Sequence, residues 1–355
     1  MKFSLVLSSL AGGGAERSML RLGSGLRRRG HEVRLIVLDP KMQHEVPAGL
    51  EVHVVGARHG WLGTWLAARA LRTLYRRLGL GTECVTISTL PFADQVAAAA
   101  RVPNLWCRIT NTLSAEIKQI ASRSPRKAAR RLARYRRLYD GRNLVAVSEG
   151  VAEDLRTLGL RRSRIVRIYN GYDVEAIRAA AREPDADLPA GPFVLHVGRF
   201  MPQKRHDLLF DAFKRAALPH KLVLLAEPSV DLEKLISTKK LENQVLIAGF
   251  RRNPYPWMRA AEMLVLSSDR EGMPNVLVEA LICGTRVVST DCPSGPREIL
   301  RGELARGLVP TGDVQALAHA MRAALAAPRP DAGAVAAEFT QERMVSAYEA
   351  LREAA

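Results

Sequence analysis

Four cysteines in 355 residues (Cys84, Cys107, Cys283 and Cys292) leave little room for disulfide chemistry, and none of them forms a CxxC pair or a metal-ligand spacing. They read as reduced thiols of a cytosolic protein. The eight histidines show no HExxH or other ligand pattern, so no metal site is expected. No GxSxG elbow or Cys/His signature supports a hydrolase. Aromatic content is 5%, and with no recognised recognition module a nucleic-acid binder would rest on charge alone. No stretch approaches the roughly 18 apolar residues that span a bilayer. The apolar start, Phe3 to Leu10, runs straight into glycines and Glu16 without an AxA-like cleavage site, so a first strand is expected rather than a signal peptide.

What is abundant is apolar residue and positive charge. Hydrophobic content of 47% is ample for burial, and the length suits two domains of ordinary size. Lysine and arginine number 53 against 36 acids, a formal net charge of +17. Between Arg123 and Arg142 there are nine basic residues and one acid, Asp140. A field of this sign favours nucleic acid, anionic lipid or pyrophosphate ligands.

Short β-rich runs alternate with helical patterns throughout, which predicts parallel sheets covered by helices. In the first half, strands are expected near 3–7, 32–38, 51–55, 84–88, 105–109, 143–147 and 164–168, with a helix from about Ala15 to Arg29 that stops at Gly30. After the Pro/Asp-rich stretch EPDADLPAGP the alternation restarts near 193–197, 221–225, 245–248, 263–266 and 286–289. Two doubly wound α/β domains facing across a cleft follow. The expected bounds are 1–172 for the first, 173–192 for a linker and 193–337 for the second; a helical tail over 338–355 packs back on the first domain. Ligands of such open sheets bind beyond the carboxyl ends of the strands.

Four segments at those strand ends bear chemistry. Gly12, Gly13 and Gly14 follow the first strand and open a helix, where backbone can approach a ligand and the dipole favours an anion; a tight structural turn explains them as well. Gly198 and Arg199 close the strand FVLHV, with Lys204 shortly after, and two cations there suit a diphosphate leaving group. Solvated basic residues are the alternative. In EGMPNVLVE, Glu271 follows a strand and Glu279 lies about one turn into a helix. Pro274 suits the first helical position, and the N–H groups of Asn275 and Val276 would point from the helix N-terminus toward a phosphate. Glu279 could accept hydrogen bonds from ribose hydroxyls. An ordinary strand-to-helix turn fits the same spacing. The fourth segment, TDCPSGPREI, forms a loop over the cleft, or a plain turn. Asp185 and Asp187 fit a DxD metal pattern but lie in the linker, so no metal role is expected of them.

Together these segments resemble glycosyltransferase family 4, retaining sugar transferases of the GT-B fold. The likeness runs through LAGGGAERSML, RGHEV, AVSEGVAEDL, IYNGYD, HVGRFMPQKRHDLLFDAF, SSDREGMPNVLVEAL, STDCPSGPREIL and the FTQERMVSAYEAL tail. DCPSGPREI is similar to the branch that moves hexose or N-acetylhexosamine from UDP-sugars in polysaccharide and lipid-linked glycan assembly. The resemblance implies that Arg199 and Lys204 hold the donor's diphosphate and that Glu279 binds the ribose. It further implies that Glu271 faces the transferred sugar, that the segment Gly272, Met273, Pro274, Asn275 and Val276 lines the donor and offers the backbone N–H groups of all but the proline, and that Gly13 and Gly14 close over the donor. Retention by front-face attack needs neither protein nucleophile nor metal, so no cofactor beyond the nucleotide sugar is expected. Two departures stand out. Many members carry a His after a first-domain strand, whereas CRITNTLSAE offers Arg108, Asn111 and Glu116; Arg108 and Asn111 are the acceptor-side candidates. The glycine-rich turn after the donor domain's second strand is replaced by AEPSV (226–230).

Ser124 to Tyr139 reads as a basic amphipathic helix with Ala128, Leu132, Tyr135 and Tyr139 on one stripe. Arg126, Lys127, Arg130, Arg131, Arg134 and Arg137 would face anionic headgroups, each adding about 1 kcal/mol; a domain helix with its stripe toward the core is the alternative. The expectation is therefore a cytoplasmic enzyme, peripheral on the inner face of the cytoplasmic membrane, that takes a nucleotide sugar and a lipid-linked or polysaccharide acceptor and binds no nucleic acid. A nucleotide-sugar epimerase, a polyanion-binding protein and a catalytically silent sugar-nucleotide sensor are the competing readings.

Overall fold

The computed structural model describes residues 1–11, 13–56, 60–329 and 331–352. The chain forms two units, Met1–Gly171 with Thr340–Ala355, and Tyr172–Phe339.

In the first unit the order is β1 (Lys2–Leu7), α1 (Gly14–Arg28), β2 (Glu32–Val37), β3 (Glu51–Val54), α2 (Trp61–Arg77), β4 (Cys84–Thr89), α3 (Pro91–Ala100), β5 (Leu105–Ile109), α4 (Leu113–Ala121), α5 (Pro125–Tyr139), β6 (Asn143–Ala146), α6 (Glu149–Thr157) and β7 (Arg164–Arg167). The strands form one parallel sheet in the order β3-β2-β1-β4-β5-β6-β7, with Leu5 of β1 opposite Leu35 and Ile87. Every residue of β4 is buried, as a central strand covered on both faces requires. Phe3, Leu5 and Leu7 meet Met19, Leu22 and Leu26 of α1 on one face. Val6 and Ile36 meet Ala67 and Leu71 of α2 and Val96 and Ala97 of α3 on the other. Helix α1 ends before Gly30, whose φ of +80° turns the chain into β2.

In the second unit the order is α7 (Val174–Ala180), β8 (Phe193–Val197), α8 (His206–Ala216), β9 (Lys221–Leu225), α9 (Val230–Thr238), β10 (Val245–Ile247), α10 (Tyr255–Ala260), β11 (Met263–Leu266), α11 (Asn275–Ile282), β12 (Arg286–Thr290), α12 (Pro296–Ile299), β13 (Leu308–Val309), α13 (Val314–Ala326) and α14 (Gly333–Glu338). Its six parallel strands run β10-β9-β8-β11-β12-β13. The core joins Val194, Leu222, Leu224, Met263, Val265 and Val288 of the sheet to Leu209, Phe213, Leu317 and Met321 of the helices.

Three expectations change. The segment 173–192 is part of the second unit rather than a free linker. It carries α7, capped where Asp173 accepts from the Ala176 N–H at 3.1 Å, and Asp185 accepts from the Trp257 indole at 2.7 Å. The tail over 338–355 is not one helix. Glu338 ends α14, and Thr340 caps a new helix, α15 (Gln341–Glu349), by accepting from the Arg343 N–H at 3.3 Å. Residues 353–355 of that tail lie outside the described residues. Strand β13 was not foreseen; two residues are too short a run to carry periodicity. Among the described residues no helix is long and apolar enough to cross a membrane.

Candidate active site

In the second unit the chain runs from β8 outward to β10, then returns to place β11 on the other side of β8. The gap between β8 and β11 is therefore the topological switch point, where open α/β sheets leave a crevice at their carboxyl ends. Lys204 follows β8 and Glu271 follows β11. Their side chains meet there, with Lys204 Nζ donating to Glu271 Oε1 at 2.7 Å. The short 3-10 turn Pro202–Lys204 is fixed to the neighbouring loop by three further bonds. Ser267 Oγ donates to the Lys204 carbonyl at 2.7 Å, the Asp269 N–H to the Gln203 carbonyl at 2.9 Å, and Gln203 Nε2 to the Arg270 carbonyl at 2.7 Å. The Lys204 side chain runs alongside Gly198, where a Cβ would make ordinary contact with Lys204 Cε at 3.4 Å. Arg199 is exposed, and no ion pair or side-chain hydrogen bond engages it among the described residues.

Gly272, Met273 and Pro274 are buried beside this pair. Helix α11 begins one residue later than its sequence implies: Pro274 is the N-cap, with φ −72° and ψ 94°, and Asn275 is the first helical residue. The φ of Pro274 is the one the proline ring fixes, which the N-cap position accepts as the first helical position does. The Val276 N–H still belongs to the first turn, whose donors lack intrahelical acceptors. Tyr172, fully buried, donates its hydroxyl to Asn275 Oδ1 at 2.6 Å. Glu279 is 2% exposed on the second turn of α11. The TDCPSGPREI loop closes against the same segment. A Cβ on Gly295 (φ +93°) would overlap the Pro274 ring and lie 3.0 Å from the Gly272 carbonyl oxygen. Burial, with Glu271 adding, pushes the Cys292 thiol well above its ordinary range.

Under Gly198 lies a buried pair of imidazoles. His196 and His206 stack edge to face with centroids 4.7 Å apart. His196 Nδ1 bonds the Val265 carbonyl at 2.9 Å. Burial lowers the His196 pKa to about 4, with Lys204 contributing. Burial drives His206 lower still, with His196 and Lys204 adding to the effect. Both are held neutral at physiological pH, so neither adds a positive charge beside Lys204. Tyr172, His196 and Gln203 join the site without having been singled out from the sequence, whereas Gly295 lies in the TDCPSGPREI loop that was expected over it. The IYNGYD motif contained Tyr172, but nothing local links it to Asn275.

The first unit's candidates stand differently. Gly12 lies outside the described residues. Gly13 caps α1, and the Glu16 carboxylate is folded onto it, an acid at the third helical position placed against the helix N-terminus. A carboxylate thus lies against Gly13, at the helix N-terminus where an anion was expected. Arg108, an acceptor-side candidate, is an interior residue of the first unit. It is 2% exposed, donating to Ser18 Oγ at 2.8 Å and Asn170 Oδ1 at 2.6 Å. Asn111 is half-buried, its side chain accepting from the Thr112 N–H at 2.9 Å. On α5 the aromatic stripe points inward: Tyr139 donates to Asp94 Oδ2 at 2.8 Å and Tyr135 to Glu116 Oε2 at 3.0 Å. The tyrosines cannot reach a headgroup region, while Arg126, Lys127, Arg130, Arg134 and Arg137 are exposed and Arg131 half-buried. The AEPSV segment forms the loop into α9, capped where Ser229 accepts from the Leu232 N–H at 3.3 Å.

Two parallel α/β units, the second with a cation–carboxylate pair and a helix N-terminus at its switch point, define a sugar-transferring enzyme of the GT-B fold. Residues 12–176 match the family model described as Glycosyltransferase Family 4, and residues 191–327 match Glycosyl transferases group 1. A Campylobacter jejuni N-acetylgalactosamine-N,N'-diacetylbacillosaminyl-diphospho-undecaprenol 4-alpha-N-acetylgalactosaminyltransferase is 30% identical over 309 residues, 84% of this chain and 83% of the relative. The lipopolysaccharide 1,6-galactosyltransferase of Salmonella typhimurium is 30% identical over 48% of each chain. Among solved structures, Anabaena HepE in complex with UDP-glucose superposes with a TM-score of 0.75 at 19% identity, over all of both chains. The chain belongs to glycosyltransferase family 4 and is a glycosyltransferase.

Proposed function

We propose that this enzyme transfers a hexose or N-acetylhexosamine, with retention of configuration, from a UDP-sugar to a lipid-linked or polysaccharide acceptor at an anionic membrane surface on the cytoplasmic side. The observation that carries the reading is the Lys204–Glu271 pair, 2.7 Å apart at the β8/β11 switch point beside the start of α11. A diphosphate entering there would draw on the Lys204 ammonium, the exposed Arg199 guanidinium and the first-turn N–H groups of α11. Drawn toward phosphate, Lys204 would release the Glu271 carboxylate to the sugar hydroxyls, and Glu279 would take the ribose. The acceptor hydroxyl attacks the anomeric carbon from the face that the phosphate leaves. The departing phosphate oxygen takes the hydroxyl proton, and Lys204 and Arg199 offset the charge it gains. This path takes its charge compensation from the chain and asks for no metal.

The relatives support the donor and acceptor classes: one is named for a diphospho-undecaprenol acceptor, and HepE was solved with UDP-glucose. Nothing in the fold, the site or these relatives favours an epimerase. The exposed arginines of α5 and the net charge of +17 support an anionic surface.

The test is thermal stabilisation across UDP, GDP and ADP, followed by turnover with UDP-sugars and product anomer analysis. A native-state ligand raises apparent stability, so a shift with UDP is expected. Lys204→Ala should lower kcat by about 100-fold or more, as loss of a charge-stabilising group does, with Glu279→Ala raising KM. A shift with GDP or ADP and none with UDP would overturn the donor assignment.

A further inference from the structure

Helix α2 carries the largest exposed apolar surface among the described residues. Trp61 is 83% exposed, Leu62 54%, Trp65 53% and Leu66 52%, on two successive turns of one face. Val54 of the edge strand β3 is 48% exposed, and a groove of 390 Å³ runs between it and Leu66. The opposite face of α2, with Ala67, Ala68, Leu71 and Tyr75, is buried in the unit's own core. The helix is therefore anchored by one side and presents indoles and leucines with the other. Scattered apolar residues at a surface need no explanation, but two turns of Trp-Leu pairs do.

The charges beside this patch identify its occupant. Along the same exposed face the residues change to Arg69, Arg76 and Arg77, and the Arg69 guanidinium lies over the Trp65 ring, 6.0 Å from its centroid. Helix α2 contains no acid, nor does α5. The two helices lie on one face of the seven-stranded sheet, either side of α3: α2 packs on α3, and Arg134 of α5 donates to Gln95 of α3 at 2.9 Å. One helical layer thus offers apolar side chains flanked by arginines. A second copy of a chain with net charge +17 would repel it. A nucleic acid would satisfy the arginines but give the leucines no apolar medium. An anionic bilayer satisfies both, with indoles and leucines at the acyl boundary and guanidiniums at the phosphates.

We infer that α2 is the membrane anchor of this enzyme: its first two turns insert into the interface of an anionic bilayer while the α2 and α5 arginines hold the headgroups. The inference deepens the membrane reading above by naming the surface, and it is independent of the donor.

The experiment is co-sedimentation of the full chain with vesicles of phosphatidylethanolamine and phosphatidylglycerol, against vesicles of phosphatidylcholine. Brominated acyl chains report indole depth by quenching. The wild type should pellet with the anionic vesicles and lose part of its tryptophan emission to the brominated lipid. The W61S/L62S/W65S/L66S variant should partition more than about tenfold less, since each apolar side chain left in water forfeits its transfer free energy. R69Q/R76Q/R77Q should weaken binding and reduce its salt dependence. Both variants should keep the stabilisation by UDP, which separates loss of the anchor from failure of the donor reading. Pelleting of the quadruple variant like wild type, or absence of quenching in the wild type, would overturn the anchor. So would a wild-type dimer that the quadruple variant converts to monomer with no change in vesicle binding.

Discussion

The ammonium of Lys204 and the carboxylate of Glu271 are only 20% and 10% exposed, so each has given up most of its hydration for the other. Removing one partner from such a pair leaves an uncompensated charge, which costs more than the pair itself contributes. A ligand phosphate that competes for Lys204 restores what water no longer supplies, and this is why the pair suits a site better than a structural tie. The imidazoles beneath keep that region free of a second cation. His196 is faced by His206, Lys204, Glu271 and the Val265 carbonyl, and burial holds its pKa at about 4, against an ordinary 6.5. The unfolded chain takes up a proton below pH 6.5 and the folded chain does not. The stability contribution is therefore complete above that value and is lost as pH falls from 6.5 toward about 4. The span corresponds to roughly 3 kcal/mol. Hydrogen-exchange opening energies for β8 and β11 should fall over this window, and His196→Gln should flatten the fall. An unchanged slope in the variant would assign the effect to His206 or to the acids.

At the level of elements, the loop before α11 is held from two directions, by Tyr172 on Asn275 and by Gly295 on Pro274. Gly295 is in the left-handed region that other residues adopt at a cost, and its missing side chain is what allows the two loops to touch. Gly295→Ala should destabilise the second unit by about 1–3 kcal/mol and displace the start of α11. A raised KM for donor with a smaller change in kcat, measured by steady-state kinetics, is the expected signature. Much of this neighbourhood is legible in the sequence. The β-branched runs closed by turn residues locate most strands to within a residue, and Glu271 and Glu279 are close enough for their spacing to mark one turn and one helix. Contacts between segments distant in sequence are not legible. Nothing in IYNGYD says that its tyrosine will meet Asn275. Periodicity gave α5 its apolar stripe but not the stripe's neighbour, which is buried Asp94 rather than lipid. For α2 the pattern of tryptophan and arginine was present, yet only its packing shows which face is left exposed. A proline beside a helix start fixed the boundary to within one residue, because N-cap and first-turn positions both accept its φ.

Across the molecule, the chain does not finish in the unit it has just built. After α14 it turns at Phe339–Thr340 and contributes α15 to the first unit. Helix α15 packs on α1, where Gly25 permits the approach: a Cβ there would lie 2.6 Å from Val345 Cγ2. Met344, Val345, Tyr348 and Leu351 are 4%, 1%, 1% and 2% exposed, within the same core as Phe3, Leu5 and Leu26. At about 1.5–3 kcal/mol for each buried apolar side chain, their loss approaches the whole stability of an ordinary domain, about 5–15 kcal/mol. A chain cut after Phe339 should therefore lose the first unit's folding while the second keeps its sheet and its Lys204–Glu271 site. Hydrogen exchange by peptide should show protection lost from β1 to β7 and retained from β8 to β12, and stabilisation by UDP should persist in the retained part. Equal protection of both halves in the truncated chain would mean that α15 covers a core already complete without it.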